Sequence, residues 1–520
     1  MNREELIERL QQQSDSQWDV IIIGGGATGM GVALDATTRG YRTLLLEQSD
    51  FAKGTSSRST KLVHGGVRYL AQGDILLVIE ALQERGRMLR NTPHLTSNQE
   101  FIIPVYRWLE VVIYYFGLKF YDILSGRLSL GKSYFLKKEK TLSRLPNIKK
   151  ENLIGGVVYH DGQFDDSRMV LALARSCVEN GGIVLNYFKV TGLLKNSDGK
   201  IQGVSVKDQL SVREYELKSR LVVNATGVFA DDILKIDNPS AHPIIKPSQG
   251  VHIVLDSYFL QTRSALMIPR TDDGRVLFAI PWYGKVVVGT TDTPLNKIRL
   301  EPIALEEEIS FILRTARKYL VKSPERTDIL SVFAGLRPLA SDPENPESTK
   351  EISRRHKIVL SRSGLLTITG GKWTTYRRMA QETLDAAIKA GLINKRKCIT
   401  KKLRLNSIPD DTIPEHLKIY GEQAKEIKKI IEDNPDFGEP LSDSFEYTIA
   451  EIIWICHNEM PVSLEDMLAR RTRAVFLDAG ACIKIAPEVT RIMARELGFN
   501  ENWGNEQIEK FSKFITHYTI

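Results

Sequence analysis

The sequence has few cysteines and no long apolar run. Its four cysteines, Cys177, Cys398, Cys456 and Cys482, lie far apart in the 520 residues and form no C-x-x-C pair. This spacing argues against a disulfide framework, an iron–sulfur cluster and a zinc knot, so we expect no metal site. No stretch reaches the roughly 20 apolar residues that a membrane-spanning helix needs. A transmembrane anchor is therefore not expected.

The excess of charge is also small. The net charge of +7 is the difference between 71 Lys plus Arg and 64 Asp plus Glu, so we expect no nucleic-acid partner. A hydrophobic content of 42% over this length predicts a globular protein with a large core. The first 13 residues are charged and helical in pattern, which predicts no export signal and favours a reducing, cytoplasmic compartment.

A glycine-rich motif follows the first apolar run, in WDVIIIGGGATGMGVALDA. The run Val20 to Ile23 predicts a buried parallel strand, and Gly24, Gly26 and Gly29 fit the pattern G-x-G-x-x-G. The three glycines would permit a tight turn, the close approach of a pyrophosphate and the packing of helix on strand, respectively. The phosphates would then lie at a helix N-terminus.

A second apolar run follows at the distance expected for a βαβ unit. Thr43 to Leu46 predicts another strand, and it ends at Glu47, whose carboxylate is placed to accept hydrogen bonds from a ribose. Two later segments have the same strand-to-turn design, at Ala225-Thr226-Gly227 and at Gly370-Gly371. Because these turns would contact a cofactor along its full length, they favour a tightly bound FAD over a nicotinamide dinucleotide that binds and dissociates.

Five segments in this order and spacing carry a family resemblance: IIIGGGATGMGVALDA, TSSRSTKLVHGGVRYL, IPWYGKVVVGTTD, AGLRPL and GGKWTTYRRMA. The chain resembles the FAD-dependent glycerol-3-phosphate dehydrogenases of the membrane-associated respiratory type. The resemblance implies non-covalent FAD, oxidation of sn-glycerol 3-phosphate to dihydroxyacetone phosphate, and transfer of electrons to membrane quinone.

The resemblance also implies an α/β fold. We expect an FAD-binding Rossmann-like domain of the glutathione-reductase and D-amino-acid-oxidase type, an antiparallel-sheet substrate domain and a C-terminal helical cap. Within residues 18–385, the FAD-binding domain takes about 18–100, 150–240 and 355–385, and the substrate domain takes about 101–149 and 241–354. The helical cap takes residues 386–520.

The polar loop after the first βαβ unit would fold back over the dinucleotide. Its hydroxyls would bind the diphosphate, and its basic and glycine residues would lie near the flavin. Counting the motifs above, the predicted cofactor-binding residues are Gly24, Gly26, Gly29, Glu47, Thr55, Ser56, Ser57, Lys61, His64, Gly66, Ala225, Gly227, Gly371 and Thr374.

A phosphorylated alcohol needs a cationic clamp and a base for the hydroxyl proton. Arginine suits the clamp because it offers paired donors to phosphate oxygens, and a histidine is the simplest base near neutral pH. The predicted catalytic residues are His252, Arg337 and Lys372, and the predicted substrate-binding residues are Arg68, Tyr69, Arg337, Arg354, Lys372 and Thr291. Arg337 and Lys372 could instead stabilise the alkoxide, so the base is left open.

A basic and aromatic segment accounts for the whole net charge. Residues 101–150 contain ten Lys plus Arg, three acids and ten aromatics. Aromatics beside basic residues are typical of a segment lying in an anionic membrane surface, so residues about 105–150 are expected to bind the inner face of the cell membrane peripherally, from the cytoplasm. The other reading of this segment is a core helix with a solvated basic flank.

Three alternative functions remain at this stage. An oxidase of the same substrate would pass electrons to oxygen and make peroxide. An FAD-dependent amino or hydroxy acid oxidase would need fewer cationic residues than this chain offers, and a non-catalytic flavin-fold binding protein would not need the histidines and arginines named above. The oligomeric state is open, with a homodimer as one candidate.

Overall fold

The computed structural model describes residues 1–13, 16–71, 73–272, 274–340, 355–407 and 412–520, apart from the side chains of Arg68 and Ala71. The helices are α1 (Arg3–Gln12), α2 (Ala27–Thr38), α3 (Val67–Ala71), α4 (Ile75–Asn91), α5 (Trp108–Ser125), α6 (Lys138–Arg144), α7 (Asp166–Glu179), α8 (Ala230–Asp237), α9 (Glu306–Tyr319), α10 (Tyr376–Lys389), α11 (Ala424–Asp433), α12 (Ile449–Asn458), α13 (Ala474–Leu477), α14 (Ala479–Leu497) and α15 (Glu501–Ile515).

The strands fall into two large sheets and one C-terminal hairpin. They are β1 (Trp18–Ile23), β2 (Thr43–Leu46), β3 (Leu62–Val63), β4 (Thr96–Val105), β5 (Tyr134–Lys137), β6 (Gly155–Phe164), β7 (Ile183–Leu185), β8 (Phe188–Lys195), β9 (Ile201–Asp208), β10 (Glu214–Asn224), β11 (Ile245–Asp256), β12 (Ala265–Ile268), β13 (Leu277–Trp282), β14 (Lys285–Gly289), β15 (Thr293–Pro294), β16 (Ile329–Ala340), β17 (His356–Leu360), β18 (Leu365–Gly370), β19 (Pro440–Ser442) and β20 (Phe445–Thr448).

The first sheet has a parallel core. Its order is β17-β18-β10-β1-β2-β7, with β8 and β9 extending from β10. The pairs β18–β10, β10–β1, β1–β2 and β2–β7 are all parallel. Helix α2 packs between α7 and α10, so ten of its twelve residues are buried. Because these strands are parallel, their carboxyl ends lie at one edge of the sheet, as predicted for a dinucleotide-binding fold.

The second sheet covers that edge. Its order is β15-β11-β14-β13-β12-β4-β6-β3, with β16 on β11 and β5 on β6. The meander β12–β13–β14 is antiparallel, which confirms the predicted antiparallel substrate sheet. The long pair β11–β16 brings His252 opposite Phe333 and Ser248 opposite Arg337. Two predicted active-site residues therefore lie on neighbouring strands.

Two strands of the second sheet differ from the predicted division of the chain. Both β3 and β6 pair in this sheet, although residues 18–100 and 150–240 were predicted to belong to the FAD-binding domain. Each strand lies next to an element of the first layer, since β3 follows the loop after β2 and β6 runs directly into α7. A sequence pattern shows that such a run is a strand but not which sheet it joins.

The C-terminal helices α11–α15 share one apolar cluster with Val254, Trp282, Val287 and Phe333 of the second sheet. Buried ion pairs join this helical cap to the rest of the protein: Arg168 donates to both oxygens of Glu459 at 2.6 and 2.7 Å, and Arg470 and Arg471 donate to Asp50. Among the described residues, no helix is both long and apolar enough to cross a bilayer.

Candidate active site

A long groove opens where three strands of the first sheet end. The turns after β1, β10 and β18 bring Gly24, Ala225 and Gly371 to its wall, and its volume is about 500 Å³. The α2 N-terminus, at Ala27, faces the same space. An anion in the groove would therefore meet the positive end of the helix dipole.

The fingerprint glycines fit close backbone packing. Gly24 has φ +112°, and a Cβ there would lie 2.7 Å from the Ala225 carbonyl oxygen. A Cβ at Gly29 would overlap the Gly24 carbonyl oxygen, and one at Gly26 would lie 2.9 Å from Ser56 Oγ. At Gly24 and Gly29 the neighbouring atoms belong to the backbone, so the turn and the helix can approach this closely only with glycine there. The groove therefore has the shape that a dinucleotide requires.

Glu47 lies on the groove wall at the end of β2, as predicted. Its Oε2 accepts a hydrogen bond from Gly25 N at 2.6 Å, and its Oε1 accepts one from Ser49 N at 2.8 Å. Burial raises the pKa of this carboxyl, and the two backbone donors oppose that effect. The donors fix the orientation of the carboxylate, and a ribose hydroxyl would bind the lone pairs that remain.

Two of the three loop hydroxyl residues reach the groove. Thr55 and Ser56 line it, and Ser56 Oγ accepts a hydrogen bond from Ala27 N at 2.9 Å. Ser57 is only 1% exposed, and its hydroxyl is directed to the Gly54 carbonyl. The Ser57 side chain therefore points into the protein and does not line the groove, in contrast to its predicted contact with the diphosphate.

Lys61 also departs from its predicted place near the flavin. Its side chain is completely buried, and Nζ donates to Ser57 O and to Asp166 Oδ2, both at 2.7 Å. Its Nζ lies 5.2 Å from the ring centroids of Trp282, Phe333 and Phe476. Lys61 therefore supports the loop from behind instead of contacting the cofactor.

A second pocket of about 200 Å³ adjoins the groove. Seven predicted residues contribute to its lining: Thr55, His64, His252, Arg337, Gly371, Lys372 and Thr374. His64 N donates to Thr374 Oγ1 at 3.2 Å, which ties the polar loop to the turn after β18. A flavin ring extending from the dinucleotide groove would enter this pocket.

His252 is buried and held on one side only. Its Nε2 lies 3.0 Å from Thr60 Oγ1, its ring stacks on Phe333 at 4.9 Å, and its Nδ1 has no hydrogen-bond partner among the described residues. Burial, with the positive charges of Lys61 and Arg337, lowers the pKa of His252 well below its usual value. The imidazole is therefore neutral at physiological pH.

Arg337 is oriented by four acceptors. Nη1 donates to Asp292 Oδ1 at 3.0 Å and to Gln249 O at 3.3 Å. Nη2 donates to Thr290 Oγ1 at 3.1 Å and to Thr291 O at 3.0 Å. The guanidinium group is thus pre-positioned between the second pocket and a third, of about 170 Å³, which it also lines.

Lys372 and Tyr69 approach each other at the mouth of these pockets. Lys372 Nζ lies 3.8 Å from the centroid of the Tyr69 ring, a cation–π contact. Gly66, at φ +82°, lies against the same ring. Tyr69 and Gly66 line the third pocket, whereas Lys372 lines the groove and the second pocket.

Of the remaining predicted residues, one lines the groove and another is hydrogen-bonded within the sheet. Gly227 has φ +62° and lines the groove. Thr291 borders the third pocket, but its hydroxyl accepts from Val251 N and donates to Glu308, so it is engaged within the sheet. The Arg68 side chain and Arg354 lie outside the described residues.

Arg275 is a residue that the sequence reasoning missed. It follows the turn between β12 and β13, where its N donates to Thr271 Oγ1 at 3.0 Å, and it lines the third pocket with Arg337. Its sequence context, TDDGR, is typical of a solvated hairpin turn. In the structure β12 pairs with β4, and Phe101 of β4 lines the same pocket as Arg275. No cluster of metal-ligating side chains occurs in the described parts of the chain.

Comparison with known proteins identifies the family. A model of the FAD dependent oxidoreductases matches residues 19–377, and a model of the C-terminal domain of alpha-glycerophosphate oxidase matches residues 361–503. The mitochondrial glycerol-3-phosphate dehydrogenase of Homo sapiens is 40% identical over 541 residues, covering 97% of this chain and 74% of that one. The enzyme of the same name from Schizosaccharomyces pombe is also 40% identical, covering 96% and 87%.

Solved structures agree. The glycerol-3-phosphate dehydrogenase of Bacillus halodurans, complexed with FAD, superposes with a TM-score of 0.80 at 30% identity, covering 99% of this chain and 98% of that one. The L-alpha-glycerophosphate oxidase of Mycoplasma pneumoniae has a TM-score of 0.57 at 18% identity, covering 74% and 97%, which shows a shared fold alone. FAD is therefore the cofactor that the groove fits, and the chain belongs to the FAD-dependent glycerol-3-phosphate dehydrogenase family.

Proposed function

We propose that the protein oxidises sn-glycerol 3-phosphate to dihydroxyacetone phosphate and passes the electrons to membrane quinone. The observation that carries the first step is the cationic pocket beside the dinucleotide groove. Arg337 and Lys372 line the pocket next to the groove, and Arg337 and Arg275 line the adjoining one. A phosphate dianion is the group that such a set binds best. Relatives at 40% identity bear the name of this activity.

Bound FAD supplies the hydride acceptor. The chain then has two tasks: to hold the phosphate and to take the hydroxyl proton. Arg337 suits the first because Asp292 and Thr290 already orient its guanidinium group. His252 suits the second because it is neutral and lines the same pocket. Lys372 would stabilise negative charge on the substrate oxygen while the proton leaves.

An exposed apolar face on α5 supports binding to a membrane. Seven of its side chains are at least 41% exposed: Trp108, Leu109, Val112, Ile113, Phe116, Phe120 and Ile123. Their spacing puts them along one side of the helix. A contiguous patch of this kind marks an interaction site in a soluble protein, and the basic residues that follow α5 would attract anionic lipid. The proposal puts the protein on the inner face of the cell membrane, where quinone is accessible.

Flavin absorbance tests the reaction directly. Anaerobic addition of sn-glycerol 3-phosphate should bleach the FAD-loaded protein, and a short-chain quinone should restore the colour much faster than air does. Absence of bleaching would remove the substrate from the proposal while leaving the fold unaffected.

The second candidate is an oxidase of the same substrate. It is favoured by the match of residues 361–503 to a domain named after alpha-glycerophosphate oxidase. Rapid recovery of colour in air, with peroxide formed in proportion to the substrate consumed, would replace quinone by oxygen as the acceptor.

A further inference from the structure

Arg473 of the helical cap reaches the back of the cofactor loop. It follows the helical turn Asp466–Arg471 in the left-handed conformation, with φ +67°, and it is 1% exposed. Nη1 donates to Ala469 O at 2.8 Å within the cap. Nη2 donates to Ser57 O at 2.9 Å and to Asp166 Oδ1 at 3.0 Å. One guanidinium group thus joins the cap, the loop and the start of α7.

Asp166 extends this contact along the loop. Its Oδ2 accepts hydrogen bonds from Ser59 N at 3.0 Å, Ser59 Oγ at 2.7 Å and Lys61 Nζ at 2.7 Å. Lys61 in turn donates to Ser57 O at 2.7 Å. The loop is therefore held from behind by Lys61, Arg473 and the Asp166 carboxylate, all buried, with Arg473 as the member supplied by the cap.

The front of the same loop faces both ligand sites. Ser56 lines the dinucleotide groove and accepts from Ala27 N at the start of α2. Thr60 lines the second pocket and lies 3.0 Å from Nε2 of His252. A shift of the loop would therefore move a wall of the cofactor groove and the hydrogen-bond partner of His252 together.

We propose that Arg473 is a positioning residue for the loop Thr55–Thr60, acting through Asp166 and the Ser57 carbonyl, so that the helical cap sets both FAD affinity and the placement of His252. The part that concerns His252 rests on the proposed function; the part that concerns FAD affinity does not. The cap is thereby a component of the cofactor site, although none of its residues lines the described part of the groove.

Arginine is the side chain that this position requires. Its planar fork donates to a carbonyl and a carboxylate from one nitrogen while a second nitrogen binds the cap. The guanidinium carbon lies 4.3 Å from the centroid of Phe476 and 5.6 Å from that of Trp282, so the fork is also fixed by packing. A lysine would keep the charge but would not satisfy all three acceptors in the same geometry.

The test compares Arg473→Met and Arg473→Lys with Arg168→Met in the full-length protein. Arg168 is a matched control because it is buried and pairs with Glu459 of the cap, whereas its hydrogen bonds among the described residues go to Asp165 and Glu459 and not to the loop. The FAD dissociation constant is measured by titrating the apoprotein, without substrate, and the rate of flavin reduction is measured at saturating sn-glycerol 3-phosphate.

We expect Arg473→Met to raise the FAD dissociation constant at least about tenfold, Arg473→Lys to restore part of the affinity, and Arg168→Met to leave it within about twofold. At saturating substrate, flavin reduction should be slowest in Arg473→Met, intermediate in Arg473→Lys and close to the wild-type rate in Arg168→Met. Wild-type FAD affinity in both Arg473 variants would overturn the inference, as would an equal loss in Arg168→Met. Since the titration uses no substrate, it decides the inference even if glycerol 3-phosphate does not reduce the flavin.

Discussion

Lys61 Nζ lies 2.7 Å from Asp166 Oδ2, and both side chains are fully buried. Burial is the main effect that lowers the pKa of Lys61, from 10.5 to about 7, and the neighbouring charge of Arg473 adds to it. Asp166 opposes the shift, as does Asp165. The native protein therefore binds this proton more weakly than the unfolded chain does.

The free energy of unfolding should depend on pH because the native and unfolded states bind this proton with different affinities. Between pH 7 and 10.5 the unfolded chain carries a proton on Lys61 that the folded protein has released, so the free energy of unfolding should increase with pH in this window. It should decrease again as the pH falls towards 7. Urea unfolding at several pH values should show this rise in wild type and a smaller rise in Lys61→Met.

An exposed lysine provides the control for that measurement. Lys510 on α15 forms an ion pair with Glu506 at the surface, where its side chain is 69% exposed. Lys510→Met should leave the pH profile of the unfolding free energy unchanged. Identical slopes for wild type and Lys61→Met would mean that the lysine titrates normally in spite of its burial.

Replacement of Arg337 by alanine should abolish most of the activity without loss of FAD. A hydrogen bond to a charged group contributes about 1.5–3 kcal/mol, so loss of the Arg337 contact to phosphate should lower kcat/KM at least about tenfold. The bound FAD content should be unchanged because Arg337 lines the second and third pockets but not the groove. Steady-state kinetics and the visible spectrum check both parts. Arg326→Ala, at a surface pair with Glu306, is the control, and wild-type kinetics in Arg337→Ala would refute the assignment.

Arg275 should act on substrate affinity. Because it shares the third pocket with Arg337, Arg275→Met should raise the KM for sn-glycerol 3-phosphate about tenfold, the effect of losing one charged hydrogen bond. The kcat should change less, since Arg275 does not line the pocket next to the groove. A KM equal to that of wild type would place the phosphate elsewhere.

Gly26 offers a direct test of the dinucleotide groove. Alanine at this position would put Cβ 2.9 Å from Ser56 Oγ, a side chain that can move, so the protein should still fold. The added methyl group would occupy the space where the pyrophosphate approaches the backbone, and overpacking of about 1–3 kcal/mol should raise the FAD dissociation constant about 5- to 150-fold. In Gly504→Ala on α15, Cβ makes only an ordinary contact at 3.5 Å, and FAD binding should be unaffected. Equal FAD affinity in the two variants would contradict the predicted path of the diphosphate.

The apolar face of α5 can be tested with lipid vesicles. Phe116 is 65% exposed on that face, and burying such a side chain stabilises the bound state by about 1.5–3 kcal/mol. Phe116→Glu should therefore reduce co-sedimentation with anionic vesicles at least about tenfold while flavin reduction continues. Leu210→Glu changes an exposed apolar residue outside α5, 44% exposed, and should bind vesicles like wild type. Equal binding by both variants would exclude α5 as the contact surface.

The strands and glycines of the cofactor site could be predicted from the sequence because local rules determine them. The runs Val20 to Ile23 and Thr43 to Leu46 lie within β1 and β2, and each fingerprint glycine lies where a Cβ would collide or nearly collide. Such constraints act over a few residues and leave a pattern in the chain.

The direction of a side chain in an irregular loop leaves no such pattern. Thr55, Ser56 and Ser57 are similar in chemistry, yet Ser57 points inward. Lys61 was predicted to approach the flavin, but its partner Asp166 comes from a distant segment, as does Arg473, which donates to the same carboxylate. Long-range contacts of this kind decide which polar residue of a loop faces the ligand, and a single sequence does not reveal them.

The parallel strands that form the cofactor groove are far apart in the chain. Strand β1 begins at Trp18, whereas β18, whose turn completes the wall, ends at Gly370. At about 5–20 residues per second, a ribosome needs on the order of 20–70 s to synthesise the intervening segment. Until β18 is synthesised, β10 lacks that neighbour and the groove wall is incomplete, so FAD cannot template the early stages of folding. We expect cofactor capture to be a late event, and the growing chain to depend on chaperones until it takes place.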